Sequence, residues 1–390
     1  MAFIINRRTT LAALTASALA FSAGLSYAQD VLKIGALGPL TGAGAAWGLG
    51  IDGGVKIAAA EVNARGGLKV GDTTYTLEVV SYDDQYKAAE AVTAINRLMG
   101  PDDVRFVFGP IGSASLLAIK PLTEREGVLL FTGAWAADVL KDSSYIFRVG
   151  PTTQEFAPST VAWLKETKPE LKRVATIAAN DETGWNSQKI QVAAYTAGGF
   201  EVVSTEFFER SQNDFRAMLT KILAQNPDTI ELDTVPPRTA GLMIRQAREL
   251  GYQGAFTKFG GYDVEEIVKA AGAEYAEGVV GTTMAAPATE TWNRLGAEFG
   301  KLHKAEMSDY VVMYYDAANL LFSSIEKAGT LDSDAVVAAL EANGPFEGSV
   351  GTLTWGGGEA YGVDHQIYRS VVMVEIKDGK GVVIGEAKLN

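Results

Sequence analysis

The chain has 390 residues, 47% of them hydrophobic and 21% charged, with no Cys and two His. That composition excludes a disordered or fibrous chain, and the length fits two domains. A net charge of −13 repels phosphate backbones and excludes nucleic acid as a partner, while the missing Cys removes disulfides, thiolate metal sites and Cys nucleophiles together.

The first element in the chain is an address. Arg7 and Arg8 precede an apolar run at 11–25, and Ser26-Tyr27-Ala28 fits the small-x-small rule, so residues 1–28 read as a signal peptide cut after Ala28. The alternative is a membrane anchor, but the run falls short of the ~20 apolar residues that span a bilayer. Thr9-Thr10 after the arginine pair favours ordinary secretion over twin-arginine export. Without a Cys at the cleavage site there is no lipid anchor. Loss of the leader takes the net charge from −13 to −15.

The mature chain then alternates. Strand-like runs fall at 31–37, 74–82, 104–108 and 128–131, and helical runs at 45–64, 87–99 and 113–125. The same alternation restarts after Pro151, with strands at 174–178, 201–208, 229–232 and 255–259 and helices at 156–167, 185–197, 215–225 and 239–250. Strands alternating with helices of this length predict βαβ units and parallel sheets, and two such series predict an α/β protein of two lobes. The tail predicts helices at 291–304, 310–327 and 334–341, then strands at 351–355, 366–375 and 381–386 as a small antiparallel ending.

In parallel α/β sheets ligands sit at the C-terminal ends of strands. The loops there, at 38–48, 109–115, 132–138, 180–186, 235–238 and 258–263, hold Gly, Ser, Thr and Trp with few ionisable groups. Free N–H groups at such helix starts suit a carboxylate or a polar neutral group, and Trp47, Trp135 and Trp185 offer flat faces for stacking, or else pack as core. Three motifs carry no chemistry. Gly48, Gly50 and Gly53 satisfy G-x-G-x-x-G but lie inside a helical run; His303 and His365 have no partners that make a nucleophile or metal site; and Asp83-Asp84 reads as a solvated cap. The residues predict no catalytic group, no metal and no cofactor.

In their order and spacing, Ile34-Gly35, Pro39-Leu40-Thr41-Gly42, Asn63-Ala64-Arg65-Gly66-Gly67, Phe108-Gly109-Pro110, Phe147-Arg148, Asn180-Asp181 with Gly184, and Arg245 to Gly251 resemble the leucine/isoleucine/valine-binding family, class I substrate-binding proteins of ATP-driven (ABC) importers. The resemblance covers the mature chain. It implies two Rossmann-like lobes joined by a three-stranded hinge, with 29–149 plus about 285–355 in one lobe and about 150–284 plus about 356–390 in the other. It also implies a periplasmic monomer that meets a membrane permease. The family's ligand positions fall on Trp47, on Ile111-Gly112-Ser113 with Ser113 taking the ligand carboxylate, and on Ala134, Trp135 and Ala136. They continue at Thr153, Thr183 and Gly260. The family's two acids for an ammonium group would stand at Thr153 and Gly260, so their loss disfavours a branched-chain amino acid, because an unpaired buried charge costs several kcal/mol. With Trp185, Phe259 and Tyr262 nearby, and Arg238 after Pro236 either facing solvent or supplying charge, the expected ligand is a small apolar or aromatic carboxylate. Other readings stay open: a branched-chain amino acid or amide, or a sensor subunit that reports to a membrane receptor. A secreted enzyme lacks a catalytic constellation, and a gene regulator would need a DNA-binding helix pair where the leader stands.

Overall fold

In the first half of the chain the apolar runs pair as the central strands of a parallel sheet. In the computed structural model, which describes residues 30–387 and 389, this series comprises β1 (Asp30–Gly38), α1 (Ala45–Ala64), β2 (Leu68–Val70), β3 (Thr73–Asp83), α2 (Ala88–Met99), β4 (Phe106–Phe108), α3 (Ser113–Glu126), β5 (Leu129–Thr132) and β6 (Ile146–Arg148). The predicted leader lies outside the described residues. The second series follows with α4 (Thr153–Thr167), β7 (Arg173–Ala179), α5 (Glu182–Ala197), β8 (Glu201–Phe208), α6 (Arg216–Leu223), β9 (Thr229–Glu231), α7 (Pro237–Glu249), β10 (Ala255–Lys258), α8 (Val264–Ala271), α9 (Ala273–Ala276) and β11 (Val280–Thr283). The tail holds α10 (Glu290–Leu302), α11 (Asp309–Ala328), α12 (Ser333–Ala342), β12 (Phe346–Gly348), β13 (Gly351–Gly356), α13 (Gly358–Tyr361), β14 (Gln366–Tyr368), β15 (Val371–Lys377) and β16 (Lys380–Ala387).

Among the described residues these strands form two sheets, a nine-stranded one ordered β12-β13-β14-β6-β5-β4-β1-β3-β2 and a seven-stranded one ordered β16-β15-β11-β10-β9-β7-β8. The centres are parallel: Ala36 faces Phe108, Phe108 faces Phe131 and Phe131 faces Phe147 in the first sheet, and Ile230 pairs with both Ala175 and Phe256 in the second. Such strands are covered on both faces, which is why they read as continuous apolar runs. Phe106, Phe108 and Phe131 enter one core cluster while Val107 and Leu130 enter another.

The chain passes between the sheets three times: after β6, after β11 and between β14 and β15. The last passage was hidden in the sequence. The run at 366–375 reads as one strand, but it breaks at Arg369-Ser370, and its halves pair in different sheets. Only the polar pair Arg369-Ser370 marks the break in the sequence, and two polar residues also fit an exposed stretch of one continuous strand. The antiparallel character of the tail is present in both halves.

The G-x-G-x-x-G glycines are packing residues. A β-carbon at Gly50 would stand 2.6 Å from Tyr310 Cβ, and one at the neighbouring Gly54 2.5 Å from the Val311 carbonyl oxygen, so α1 and α11 meet closely there. That contact carries Trp47 and Tyr310, in the first turns of the two helices, to the same end of the first sheet.

Candidate functional site

The loops at the C-terminal ends of the parallel strands converge on one cavity of about 310 Å³, a volume that includes its open mouth. From the first sheet come Trp47 in α1, Tyr86 after β3, Ile111 after β4, Gly133 and Trp135 after β5, and Tyr310 in α11. From the second come Thr183 in α5, Arg210 after β8, Asp233 and Thr234 after β9, and Gly260 and Gly261 after β10. One side of the cavity is therefore mainly aromatic and the other mainly polar.

The aromatic side is tightly built. The Trp47 ring lies 6.1 Å from Tyr86 and 6.3 Å from Tyr310, and Trp135 meets Phe156 edge-on at 5.6 Å. Trp47 Nε1 is buried and has no hydrogen-bond partner. On the polar side, Asp181 does two jobs. Its Oδ1 accepts from Gly184 N at 3.0 Å and caps α5, which sets Thr183 in place, and its Oδ2 accepts from Arg210 Nε. The Arg210 guanidinium also sits 4.2 Å above the Tyr86 ring of the opposite side and donates from Nη1 to the Thr234 carbonyl at 3.4 Å. Its Nη2 is buried without a partner. Burial works against the Arg210 charge, but Tyr86 and Asp181 hold its pKa above the ordinary value.

Behind the polar side lies a buried ionic cluster. Asp233 Oδ2 accepts from Thr153 Oγ1 at 3.0 Å, and its Oδ1 has no partner. Burial, with Glu231 nearby, pushes the Asp233 carboxyl well above its usual range. Glu231 is occupied by Tyr195 Oη at 2.9 Å and Phe259 N at 3.0 Å. Lys258 Nζ donates only to carbonyls, those of Gly260 at 2.6 Å, Asp233 at 3.0 Å and Leu232 at 3.4 Å, and burial pulls its pKa down.

A family model described as periplasmic binding protein matches residues 31–380. The chain belongs to that family. It is 28% identical over 341 residues to the leucine-, isoleucine-, valine-, threonine- and alanine-binding protein of Pseudomonas aeruginosa, covering 87% of this chain and 89% of that one. Among solved structures it is similar to a leucine-binding protein of Thermotoga maritima, with TM-score 0.79, 24% identity and coverage of 92% and 99%. It is equally similar to an ABC-transporter solute-binding protein of Rhodopseudomonas palustris in complex with 3,4-dihydroxybenzoic acid, with TM-score 0.79, 23% identity and coverage of 93% and 99%. These structural likenesses show the fold, which is that of two α/β halves joined by three crossings. Membership of the family implies a periplasmic location.

The binding protein brings five of the expected residues to the cavity wall: Trp47, Ile111, Trp135, Thr183 and Gly260. Gly112, Ser113, Ala134 and Ala136 stand just behind it. The Ser113 hydroxyl accepts from Ala136 N at 3.0 Å and from Thr183 Oγ1 at 2.8 Å, so it ties the two sides together rather than facing the cavity. Thr153 acts through Asp233. Pro236 lines an outer groove that shares Trp47, Tyr86 and Arg210 with the cavity. Four expected residues point elsewhere. Trp185 is 50% exposed, with its indole N–H on Asn180 Oδ1 at 2.9 Å. Arg238 is exposed, Phe259 is fully buried, and Tyr262 is buried with its hydroxyl on the Val279 carbonyl at 2.9 Å.

Tyr86, Arg210, Asp233 and Tyr310 were missed. The first three follow strand ends at 82, 208 and 232, so the strand-end rule already pointed to them. The cleft is not free of acids, as the sequence reading expects, because Asp233 supplies one beside Gly260. The three decoys prove structural. Asp83 accepts from Leu40 N at 2.9 Å and from Thr41 Oγ1 at 2.6 Å, fixing the loop before α1. His303 is half-buried and lies 2.8 Å from Asp52, and His365 bonds the Ile146 carbonyl and Glu341, each at 3.0 Å.

Proposed function

We propose that this protein is the solute-binding subunit of an ABC importer and that its ligand is a small carboxylate with an aromatic or apolar body. The observation that carries this is the pair of buried donors left without acceptors in an aromatic-walled cavity, Arg210 Nη2 and Trp47 Nε1. A buried donor without a partner costs about 1–3 kcal/mol, and more when charged. An anionic acceptor group relieves both, and the free Nη2 offers a carboxylate oxygen a charged donor. The apolar remainder of the ligand lies against Trp47 and Trp135. Because the ligand touches residues of both sheets, binding favours the state in which the two sides meet. The subunit then presents its load to a membrane permease, and export by the cleaved leader places it in the periplasm.

A branched-chain amino acid is the second reading, favoured by Asp233, whose carboxylate is placed to face an ammonium group. A thermal-shift and calorimetric panel of small acids tests the proposal. Aromatic or apolar carboxylates at about 100 times Kd should stabilise the protein by about 2.7 kcal/mol, whereas sugars and polyamines should not. Stabilisation by neutral or cationic solutes alone would overturn it.

A further inference from the structure

We infer that the ligand carries a hydrogen-bond donor, a hydroxyl or an ammonium group, which Asp233 Oδ1 accepts, so that Asp233 selects among carboxylates of similar shape. The inference rests on the carboxylate reading above and narrows it.

Asp233 is 3% exposed, and its two oxygens are used unequally. Oδ2 is fixed by Thr153 Oγ1, whereas Oδ1 has no partner at hydrogen-bond distance, although the buried and likewise unpartnered Gln191 amide lies near the carboxyl. Oδ1 lies beside Gly260 on the cavity wall. A β-carbon built at Gly260 would be 2.9 Å from Oδ1 and 2.3 Å from Trp135 Cη2, so the absence of a side chain there leaves the carboxylate edge and the indole edge next to each other. The nearby cations do not fill the vacancy. Lys258 spends its hydrogen bonds on three carbonyls, and Arg210, held by Asp181 and Thr234, has only Nη2 free, which makes no hydrogen bond to Oδ1. Glu231, the other close charge, is an acid with its oxygens already engaged.

A bare aromatic acid in this cavity would press an apolar ring against Asp233 Oδ1, a buried polar atom without a partner. A ligand with a donor at that point removes the penalty. Sites built to hydrogen-bond a substrate group reject analogues that lack it far more strongly than apolar pockets reject a change of size. Arg210 and Asp233 thus define two poles, an acceptor-seeking one and a donor-seeking one, with the aromatic wall between them.

The test uses matched pairs that differ in one donor: benzoate and 4-hydroxybenzoate, 3-phenylpropanoate and phenylalanine, 4-methylpentanoate and leucine. Calorimetry on the full mature protein should show that in at least one pair the donor-bearing member binds about tenfold to a hundredfold more tightly. In Asp233→Ala that preference should vanish. In Asp233→Asn, which keeps an acceptor but no charge, a preference for hydroxyl should survive in weakened form and a preference for ammonium should be lost. Melting temperatures without ligand show whether each variant is folded, and the wild-type pairs decide the matter if a variant is not. Equal affinities within every pair, or a preference that persists in Asp233→Ala, would overturn the inference while leaving the carboxylate reading intact. If none of the six acids binds, the carboxylate reading itself fails, and this inference with it.

Discussion

Gly260→Ala is the sharpest perturbation of the cleft. Gly260 has φ +134, and an added β-carbon would meet Trp135 Cη2 at 2.3 Å, Asp233 Oδ1 at 2.9 Å and Phe156 Cζ at 3.1 Å. Two costs separate. The backbone strain, about 1–3 kcal/mol, arises within the second sheet's half and is present whether the cleft is open or closed. Overpacking against Trp135, about 1–3 kcal/mol, arises only when the first half closes on the second. The first cost should lower the melting temperature of the ligand-free protein. The second should weaken binding about fivefold to 150-fold. Calorimetric titration with the tightest acid of the panel, alongside a melting curve without ligand, measures both. A lower melting temperature with unchanged affinity would mean that Trp135 and Gly260 do not meet around the bound ligand, and the proposed cavity would be refuted.

Thr183→Val removes the hydroxyl that joins Ser113 across the cleft, and should weaken binding by roughly 0.5–1.5 kcal/mol while changing the melting temperature little; a large stability loss with intact affinity would contradict a role in closure. Burial pushes Asp263 up to about 8 against the Glu266 N–H bond, which favours its charge, with Glu265, Glu266 and Asp309 adding to the rise. The native state then keeps a proton that the unfolded chain releases near pH 4, so stability should fall as pH rises from about 4 to about 8. Asp263→Asn, which keeps an acceptor for the cap of α8, should flatten that slope in melting curves; a rising wild-type slope through the window, or an unchanged slope in the variant, would count against it. The mature protein should begin at Gln29 and occur in the periplasmic fraction, and N-terminal sequencing that finds Met1 on the abundant soluble form would remove the export reading.

Much of the fold was legible because its helices and central strands carry clear periods. The run at 45–64 matches α1 residue for residue, since four glycines there serve close packing and do not break the helix. β6 was not legible as a strand. It has three residues, one of them Arg148, whose charge interrupts the apolar run. Arg148 is tolerated because Gln366 Oε1 and the Ala136 carbonyl accept from it at 3.0 and 2.7 Å, partners that lie far along the chain or across a loop. The site shows the same limit. Trp47, Trp135 and Gly260 could be placed from loop position and the family resemblance, but Arg210 becomes a cavity-lining group only through Asp181 and Tyr86, one beside the start of α5 and the other in the opposite half. Asp233 likewise looks like an ordinary strand-end acid until Gly260 and Thr153 are seen around it.

The proposed anchor for the ligand carboxylate is Arg210, set between the two sheets. Native mass spectrometry of protein purified without refolding, compared with the same preparation of Arg210→Ala, tests it most directly. The wild type should retain a small organic acid, released and identified on denaturation, and the variant, still folded by its melting curve, should retain little or none. A co-purified solute with no carboxylate, or an acid held equally by both proteins, would contradict it.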